Sequence, residues 1–290
     1  MKLVLPQINF IGSPAPAMSV TYTAALPVRE QTVLYLPELL HAERLRRGTR
    51  TGTRALGCYK QAVLVLRWFL DGTRVTQLAR DNAIARSTAY DYLHEGIDAL
   101  AEQAPSLHSA MLAAKTAGYS HVIIDGTLIA TDRVRTPGPT PGVDLWWSGK
   151  HDKHGGNIQV ITAPDGWPLW TSQVRPGREH DTTALRTHAE ILPALTEAGA
   201  DLRALGDLGY EGEQATITIG FKKPHNGRLS ATQQQFNKIH NGLRAIGERG
   251  NSLLKMTFRA LRRVSLCPWR IGKITAAALV LLHHDHGHTT

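Results

Sequence analysis

The sequence contains little cysteine and no long apolar segment. Its 290 residues include two cysteines, Cys58 and Cys267, which lie far apart and have no CxxC or zinc-ligand spacing around them. This usage is typical of the reducing cytosol and indicates a fold without disulfides. The longest apolar run near the C-terminus, residues 276–282, is too short to cross a bilayer. Residues 1–17 are polar where a signal peptide needs an apolar core. We therefore expect a soluble, cytoplasmic protein that contacts no membrane.

Acidic residues are also in short supply. Lys and Arg number 33 against 24 Asp and Glu, which gives a formal net charge of +9. Such an excess favours a polyanionic partner, and nucleic acid is a better candidate than a membrane because no amphipathic basic helix stands out. The hydrophobic content of 42% is sufficient for a sizeable core, which excludes a disordered basic tail.

Residues 120–127 combine a buried-strand pattern with a carboxylate. The β-branched run 122–124 is followed by Asp125, Gly126 and Thr127. A short apolar run of this kind is typical of a strand buried on both faces. A carboxylate at the end of such a strand either opens a turn with the glycine or belongs to an active site.

A second apolar segment also runs into an aspartate, Asp207. The strand pattern that begins before Asp125 continues through residues 128–134, and further strands are predicted over residues 157–163, 168–174, 202–205 and 217–222. A helix is expected over 180–195, and helices again over 232–261 and 268–284. This order is that of an α/β, ribonuclease H-like fold, a mixed five-stranded sheet flanked by helices, in which the first and fourth strands are neighbours. Asp125 and Asp207 would then converge, and their repulsion is best relieved by a divalent cation bound through oxygen, which favours magnesium.

The N-terminal third predicts a helical domain with a helix-turn-helix at about residues 73–100. Apolar residues of this segment recur at the spacing of two packed helices, and Ser87 is a suitable N-cap for the second. The second helix either reads a DNA groove or only packs in a small helical bundle. Before it comes an arginine-rich segment, which is either a solvated loop or a phosphate-binding arm. Its arginines include Arg46, Arg47, Arg50 and Arg54.

The helical segment after residue 230 offers a third carboxylate. Arg244, Glu248 and Lys255 are separated by four and seven residues, so they project from one helix face. The simpler interpretation is an ordinary i,i+4 ion pair on a solvated helix face. Gly247 and Gly250 favour a site instead, because glycine weakens a helix by about 1 kcal/mol and is expected where a backbone or ligand approaches closely.

Three other features leave alternatives open. Trp146 and Trp147 either pack at a sheet edge or stack on a base. Asp181, preceded by His180, is either the N-cap of a helix or a rival metal ligand. The histidines of residues 283–288 form either a solvated tail or a transition-metal site, and the tail is the preferred interpretation.

Several motifs, taken together and in this order, resemble bacterial insertion-sequence transposases of the DDE superfamily. The similarity is to the insertion-sequence-five group, which is related to eukaryotic Harbinger nucleases. It covers roughly residues 40–285. The motifs are Ile-Asp-Gly-Thr at 124–127, the block 148–159, Gly-Arg-Glu-His-Asp at 177–181, Gly-Asp-Leu-Gly-Tyr at 206–210, and the Arg244, Glu248, Lys255 spacing. The last signature usually begins with a tyrosine, but Asn241 stands at that position here.

This resemblance implies a metal-dependent DNA transposase. Asp125, Asp207 and Glu248 would hold two Mg²⁺ ions, with Mn²⁺ as a substitute, while Arg244 and Lys255 orient Glu248 and neutralise phosphate. The enzyme would cut phosphodiester bonds at the terminal inverted repeats of a DNA element and join the 3′ ends to target DNA. A homodimer or higher oligomer on double-stranded DNA, associated with the nucleoid, is expected because two element ends must be brought together. The residues expected to contact DNA are Arg46, Arg47, Arg50, Arg54, Arg86, Ser87, Thr88, Lys150, His151, Lys153, His154 and Arg249.

The corresponding domain prediction is a DNA-binding domain over residues 1–117 and a catalytic domain over 118–290. Two alternatives from other functional classes stay open. One is a domesticated or inactive DNA-binding protein derived from such an enzyme. The other is a ribonuclease H-fold nuclease acting in repair or on RNA. A hydrolase of small phosphates is a further class, and the positive charge speaks against it.

Overall fold

The N-terminal third of the computed structural model is helical. The structure describes residues 25–287, so residues 1–24 of the chain, including the segment considered as a signal peptide, lie outside it. The second helix, Cys58–Asp71, ends at Gly72, which adopts a left-handed conformation with φ +66° and closes the helix. The helices of this part are α1 (Glu30–Arg46), α2 (Cys58–Asp71), α3 (Val75–Asp81), α4 (Arg86–Ala101) and α5 (Leu107–Thr116).

Helices α3 and α4 form the predicted helix-turn-helix arrangement. Leu78 and Ala79 on α3 and Ala89 and Leu93 on α4 are buried, as the spacing predicts. The predicted N-cap is wrong, because Ala85 occupies that position without a side-chain cap and Ser87 is the second residue of the helix. The helix therefore starts two residues earlier than the serine would place it.

The sheet has the predicted ribonuclease H-like order. The strands are β1 (His121–Ala130), β2 (Trp147–Ser148), β3 (Lys153–Thr162), β4 (Pro168–Thr171), β5 (Arg175–Pro176), β6 (Arg203–Leu205) and β7 (Ile217–Thr218). The core of the sheet runs β4–β3–β1–β6–β7, with antiparallel pairing among the first three strands and parallel pairing from β1 to β6 to β7. The sheet has seven strands rather than five, because two-residue strands β2 and β5 also pair with β3.

Helices cover both faces of this sheet. Ile129, Ile158 and Val160 face one buried cluster, which they share with the N-terminal bundle and α9. Val122 and Ile124 face the other cluster, together with α5 and α7. The helix predicted over 180–195 is broken into two pieces at His188. The helices of this part are α6 (Asp181–Thr187), α7 (Ile191–Ala198), α8 (Ala231–Thr257) and α9 (Ile271–His286).

His283 and His284 are part of the packed structure, so the preferred interpretation as a solvated tail is wrong for these two, whereas His286 is exposed and His288 lies outside the described residues. His283 is buried, its Nε2 lies 2.7 Å from the carbonyl oxygen of Pro168, and its ring stacks on Trp167. His284 stacks on Tyr35 of α1. These contacts arise because α9 is buried along most of its length between the bundle and the sheet.

Helix α5 precedes the predicted domain boundary, yet its buried residues pack in the cluster on the sheet. The boundary at residue 117 stays a prediction. Within residues 25–287, no helix has both the length and the apolar character needed to span a membrane.

Candidate active site

Asp125 and Asp207 occupy equivalent positions on the two central strands. Ile123 on β1 pairs with Leu205 on β6, and this is the last pair between the two strands. Each aspartate follows two residues after its member of that pair. Since the carboxyl ends of parallel strands meet at one edge of a sheet, the two carboxylates converge there.

Asp125 lies in the middle of β1, so the prediction that it ends a strand is wrong. The strand continues to Ala130 because β3 pairs with it antiparallel from Ile123 onward. The side that β6 leaves open is therefore where Asp125 is accessible. The turn interpretation of Asp125 is excluded by the same pairing.

Two side chains of α8 bind this stretch of β1. The amide nitrogen of Asn251 donates to Asp125 Oδ2 over 2.9 Å. Lys255 Nζ donates to Thr127 Oγ1 over 2.7 Å. The sequence reasoning missed Asn251. The available signal was its spacing, seven residues after Arg244 on the same edge of the helix.

The carboxylate of Asp125 is half-buried and lies near other acidic side chains. Burial raises its pKa to about 6, and repulsion from Asp207 adds to this rise. Arg244 opposes the rise, whereas Asp181 and Glu248 contribute to it. A carboxylate in this state is stabilised by any cation that reaches it.

Glu248 lies at the rim rather than in the centre. Its side chain is 65% exposed, and its Oε1 is 4.0 Å from Arg244 Nη2, which is the ordinary i,i+4 pair. No three Asp, Glu, His or Cys side chains between residues 25 and 287 are close enough together to hold a metal ion jointly. Glu248 is thus near enough to act on Asp125 electrostatically, but the structure does not bring the three carboxylates together as one ligand set.

The two glycines of α8 let the helix pack against the sheet. A Cβ on Gly247 would lie 2.6 Å from Ile123 Cγ2, and one on Gly250 would overlap Thr162 and lie 2.9 Å from the carbonyl oxygen of Gly166. The predicted close approach is confirmed, and the approaching group is the sheet and its hairpin turn. This contact fixes which edge of α8 faces Asp125.

Asp207 and Asp181 are both held at the adjacent turn. Asp207 Oδ1 accepts from the backbone N–H of Gly209 over 2.8 Å and caps a short 3₁₀ helix. Asp181 is not the N-cap of α6, because His180 occupies that position and its Nδ1 accepts from Thr182. Asp181 is instead the first helical residue, and its buried side chain accepts a hydrogen bond from Asn157 Nδ2 over 2.8 Å.

A comparison with protein families identifies the family of this chain. The sequence profile of the family described as DDE superfamily endonuclease matches residues 124–283, which is more than half of the chain. The chain belongs to the DDE superfamily endonucleases. The match includes Asp125, Asp207 and α8, the elements that form the candidate site.

Searches against other proteins add little to this assignment. No curated protein sequence matches the DDE endonuclease. Among solved structures, it is similar to the Mos1 transposase paired-end complex with left transposon end at 10% identity and a TM-score of 0.21, covering 82% of this chain and 85% of that one. A pre-cleavage Mos1 transpososome gives 10% identity and a TM-score of 0.22, with coverage of 86% and 85%. At such scores the similarity indicates no function.

The side chains of the DDE endonuclease fit a hard divalent cation. Asp125 and Asp207 present carboxylate oxygens at one edge of the sheet. Asn251 is more than nine-tenths buried, and its Oδ1 has no hydrogen-bond partner among the described residues. An all-oxygen donor set with an unsatisfied buried acceptor suits Mg²⁺ or Mn²⁺.

The basic hairpin at β2 and β3 is only partly available to DNA. His151 and Lys153 are exposed. His154 is not, because its Nε2 lies 3.0 Å from Asp144 Oδ2. Lys150 points back to Asp181. Trp146 is buried against Trp269 and is therefore a core residue.

The predicted arginine arm is mostly an internal ion-pair network. Arg54 donates to the buried Glu95 and lies over the ring of Tyr92. Arg47 donates to Glu43 and lies 3.6 Å from Glu95, and Arg46 also bonds Glu43 (2.6 Å). Arg54 is half-buried by its pairing with Glu95, so the prediction of an exposed arm is wrong for that residue. Arg46 and Arg47 pair with the buried Glu43 but remain exposed. The candidates for DNA contact that are exposed are Arg46, Arg47, Arg50, Arg86, Ser87, Lys150, His151, Lys153 and Arg249, and Thr88 is half-buried.

Proposed function

We propose that this DDE endonuclease is an insertion-sequence transposase of the insertion-sequence-five group. It cleaves phosphodiester bonds at the ends of a DNA element and joins the 3′ ends to target DNA. The observation that carries the proposal is the convergence of Asp125 and Asp207 two residues beyond the last pair of the central parallel strands. Family membership supports the same chemistry.

The proposed site residues have distinct roles. Asp125, Asp207 and Glu248 are the carboxylates that would hold two Mg²⁺ ions, with Mn²⁺ as a substitute. Ions held there would activate the attacking water or 3′-hydroxyl and stabilise the leaving oxygen. Arg244 orients Glu248, and Lys255 offers a cation to phosphate from beside Thr127. The exposed Glu248 would have to turn inward around DNA and metal.

The distribution of charge supports a DNA partner. Residues 214–284 contain twelve Lys and Arg and a single acid, Glu248, so this segment carries +11 and the remainder of the chain carries −2. The segment includes α8, whose one edge faces Asp125. Concentrated positive charge beside the carboxylates favours a phosphate backbone as the substrate. A homodimer on the two terminal inverted repeats, in the nucleoid, completes the proposal.

Incubation with DNA flanking its own gene tests the proposal. Wild type should cut near the element ends in the presence of Mg²⁺, and the cut positions can be mapped by sequencing. Asp207→Asn keeps an acceptor for Gly209 but removes the charge, so it should lose cleavage and retain binding in a gel-shift assay. Asp201→Asn, at an exposed position before β6, is the matched control and should cut normally. Cleavage by Asp207→Asn at the wild-type rate would refute the assignment.

A DNA-binding protein without cleavage activity is the second candidate. Glu248 is exposed and does not form one ligand set with Asp125 and Asp207, which favours this second candidate. In that case wild type would shift the same DNA but leave it uncut with either Mg²⁺ or Mn²⁺.

A further inference from the structure

A chain of buried polar side chains ends at Asp181. The Tyr210 hydroxyl donates to Gln159 Oε1 over 2.6 Å, and Gln159 Nε2 donates to Asn157 Oδ1 over 3.0 Å. Asn157 Nδ2 in turn donates to Asp181 Oδ1 over 2.8 Å. Each donor in the chain is oriented by the one before it, so the amide presented to Asp181 is fixed in place. A buried network of this kind holds the carboxylate in one position.

Asp181 is positioned against both catalytic strands. A Cβ on Gly126 would overlap the Asp181 carboxylate, so this acid lies directly on the β1 backbone next to Asp125. On the β6 side, a Cβ added to Gly209 would lie 2.6 Å from Asp207 Oδ1 and 3.6 Å from Asp181 Oδ2. The two carboxylates therefore approach the same point. Thr182 Oγ1 donates to the Gly209 carbonyl oxygen over 2.5 Å and ties the start of α6 to this turn.

The negative charge of Asp181 is poorly compensated by the protein. Besides Asn157, it contacts Lys150, whose side chain is 65% exposed and whose Nζ is 3.3 Å from Asp181 Oδ2. Burial lowers the pKa of Lys150, but attraction to Asp181 and Asp207 outweighs this and leaves the pKa raised. A long, solvent-exposed side chain thus folds back toward an acidic cluster, where it loses rotamer freedom.

A separate observation points to a ligand beside Asp125, the carboxylate next to Asp181 and Asp207. Asn251 Oδ1, on the amide that binds Asp125, is a buried acceptor with no partner in the part of the chain that the structure describes. A buried acceptor of this kind is unfavourable by about 1–3 kcal/mol unless a donor or cation satisfies it. Mg²⁺ in nucleic-acid enzymes is commonly held by one or two carboxylates, with water and substrate phosphate as its other ligands.

We propose that Asp181 is a fourth acidic residue of the site, that it shares a divalent cation with Asp207, and that the Lys150 ammonium occupies the place of that cation until it binds. The inference rests on the proposed function only in taking a divalent cation as the ligand. It assigns Lys150 a role as a tethered counter-ion in place of the DNA contact expected from the sequence.

Mn²⁺ binding to the full chain without DNA tests this proposal. Free Mn²⁺ gives a six-line electron paramagnetic resonance signal that disappears on binding, so affinity can be measured without catalysis. Asp181→Asn should weaken Mn²⁺ binding by about tenfold or more, in the range seen when metal-site groups are removed. Lys150→Met should strengthen binding severalfold, since it removes the competing cation. The double variant should lose that gain.

The controls separate a binding role from a folding role. Glu179→Gln removes an acid two residues away whose carboxylate is paired with Arg175, and it should bind Mn²⁺ like wild type. If Asp181→Asn fails to fold in a thermal melt, the exposed Lys150→Met variant decides alone. Wild-type affinity in a folded Asp181→Asn variant, or no gain in Lys150→Met, would overturn the proposal. Normal Mn²⁺ results with no DNA cleavage would overturn the proposed function and leave this inference intact.

Discussion

The packing of α8 on the sheet can be tested with one substitution at two glycines of the same helix. At Gly250, a new Cβ would overlap Thr162 and lie 2.9 Å from the Gly166 carbonyl oxygen, which is backbone and cannot rotate away. At Gly242, a Cβ would meet nothing within 4 Å. Gly→Ala in a helix stabilises by about 1 kcal/mol through propensity at either position. Overpacking a filled contact destabilises by about 1–3 kcal/mol and applies to Gly250 alone.

We therefore expect Gly242→Ala to raise the free energy of unfolding and Gly250→Ala to fall below Gly242→Ala by about 1–3 kcal/mol. The propensity gain is common to both variants and cancels in the difference. Urea unfolding followed by circular dichroism measures both values. Because Gly250 is adjacent to Asn251, the same shift of α8 should also weaken Mg²⁺-dependent DNA cleavage. Equal stabilisation by the two alanines would refute the assigned contact.

Three further predictions concern charges that the structure pairs. Arg54→Met should lower the free energy of unfolding by up to about 3 kcal/mol, because it removes one partner of the buried pair with Glu95. Its DNA affinity should fall only as far as its folding does. Arg50→Met should leave the free energy of unfolding unchanged. The hydrogen bond from Arg46 lowers the pKa of Glu43 to about 2, below its ordinary value of 4.5. The resulting stability is complete above pH 4.5 and is lost as the pH falls toward 2, so Glu43→Gln should flatten this part of a stability–pH profile measured by urea unfolding. In the absence of Mg²⁺, Asn251→Asp should lower the melting temperature, because the new carboxylate repels Asp125, to which the wild-type amide donates. Mg²⁺ should restore the melting temperature, and a variant insensitive to Mg²⁺ would contradict the cation site.

The local sequence pattern was sufficient to predict the order of the core strands and the positions of the two aspartates. The β-branched run before Asp125 and the apolar segment before Asp207 each predict a buried strand, and strand order then requires the two carboxyl ends to meet. The glycines of α8 were equally informative, since a costly residue in a helix signals a close neighbour. These features follow from the spacing of apolar residues and from the size of single side chains, and both can be read from the sequence.

The identity of the side chains inside the site was decided by tertiary packing. Residue spacing gives the angle between Glu248 and Asn251 around α8, but it does not give the rotation of the helix against the sheet. Gly247 and Gly250 set that rotation, which turns Asn251 onto Asp125 and leaves Glu248 exposed. The same holds for the arginines recruited by buried glutamates, because partners 41 residues apart, such as Arg54 and Glu95, meet only in the folded chain. The sequence by itself therefore determined the scaffold and the two aspartates, and the three-dimensional packing determined which polar groups surround them.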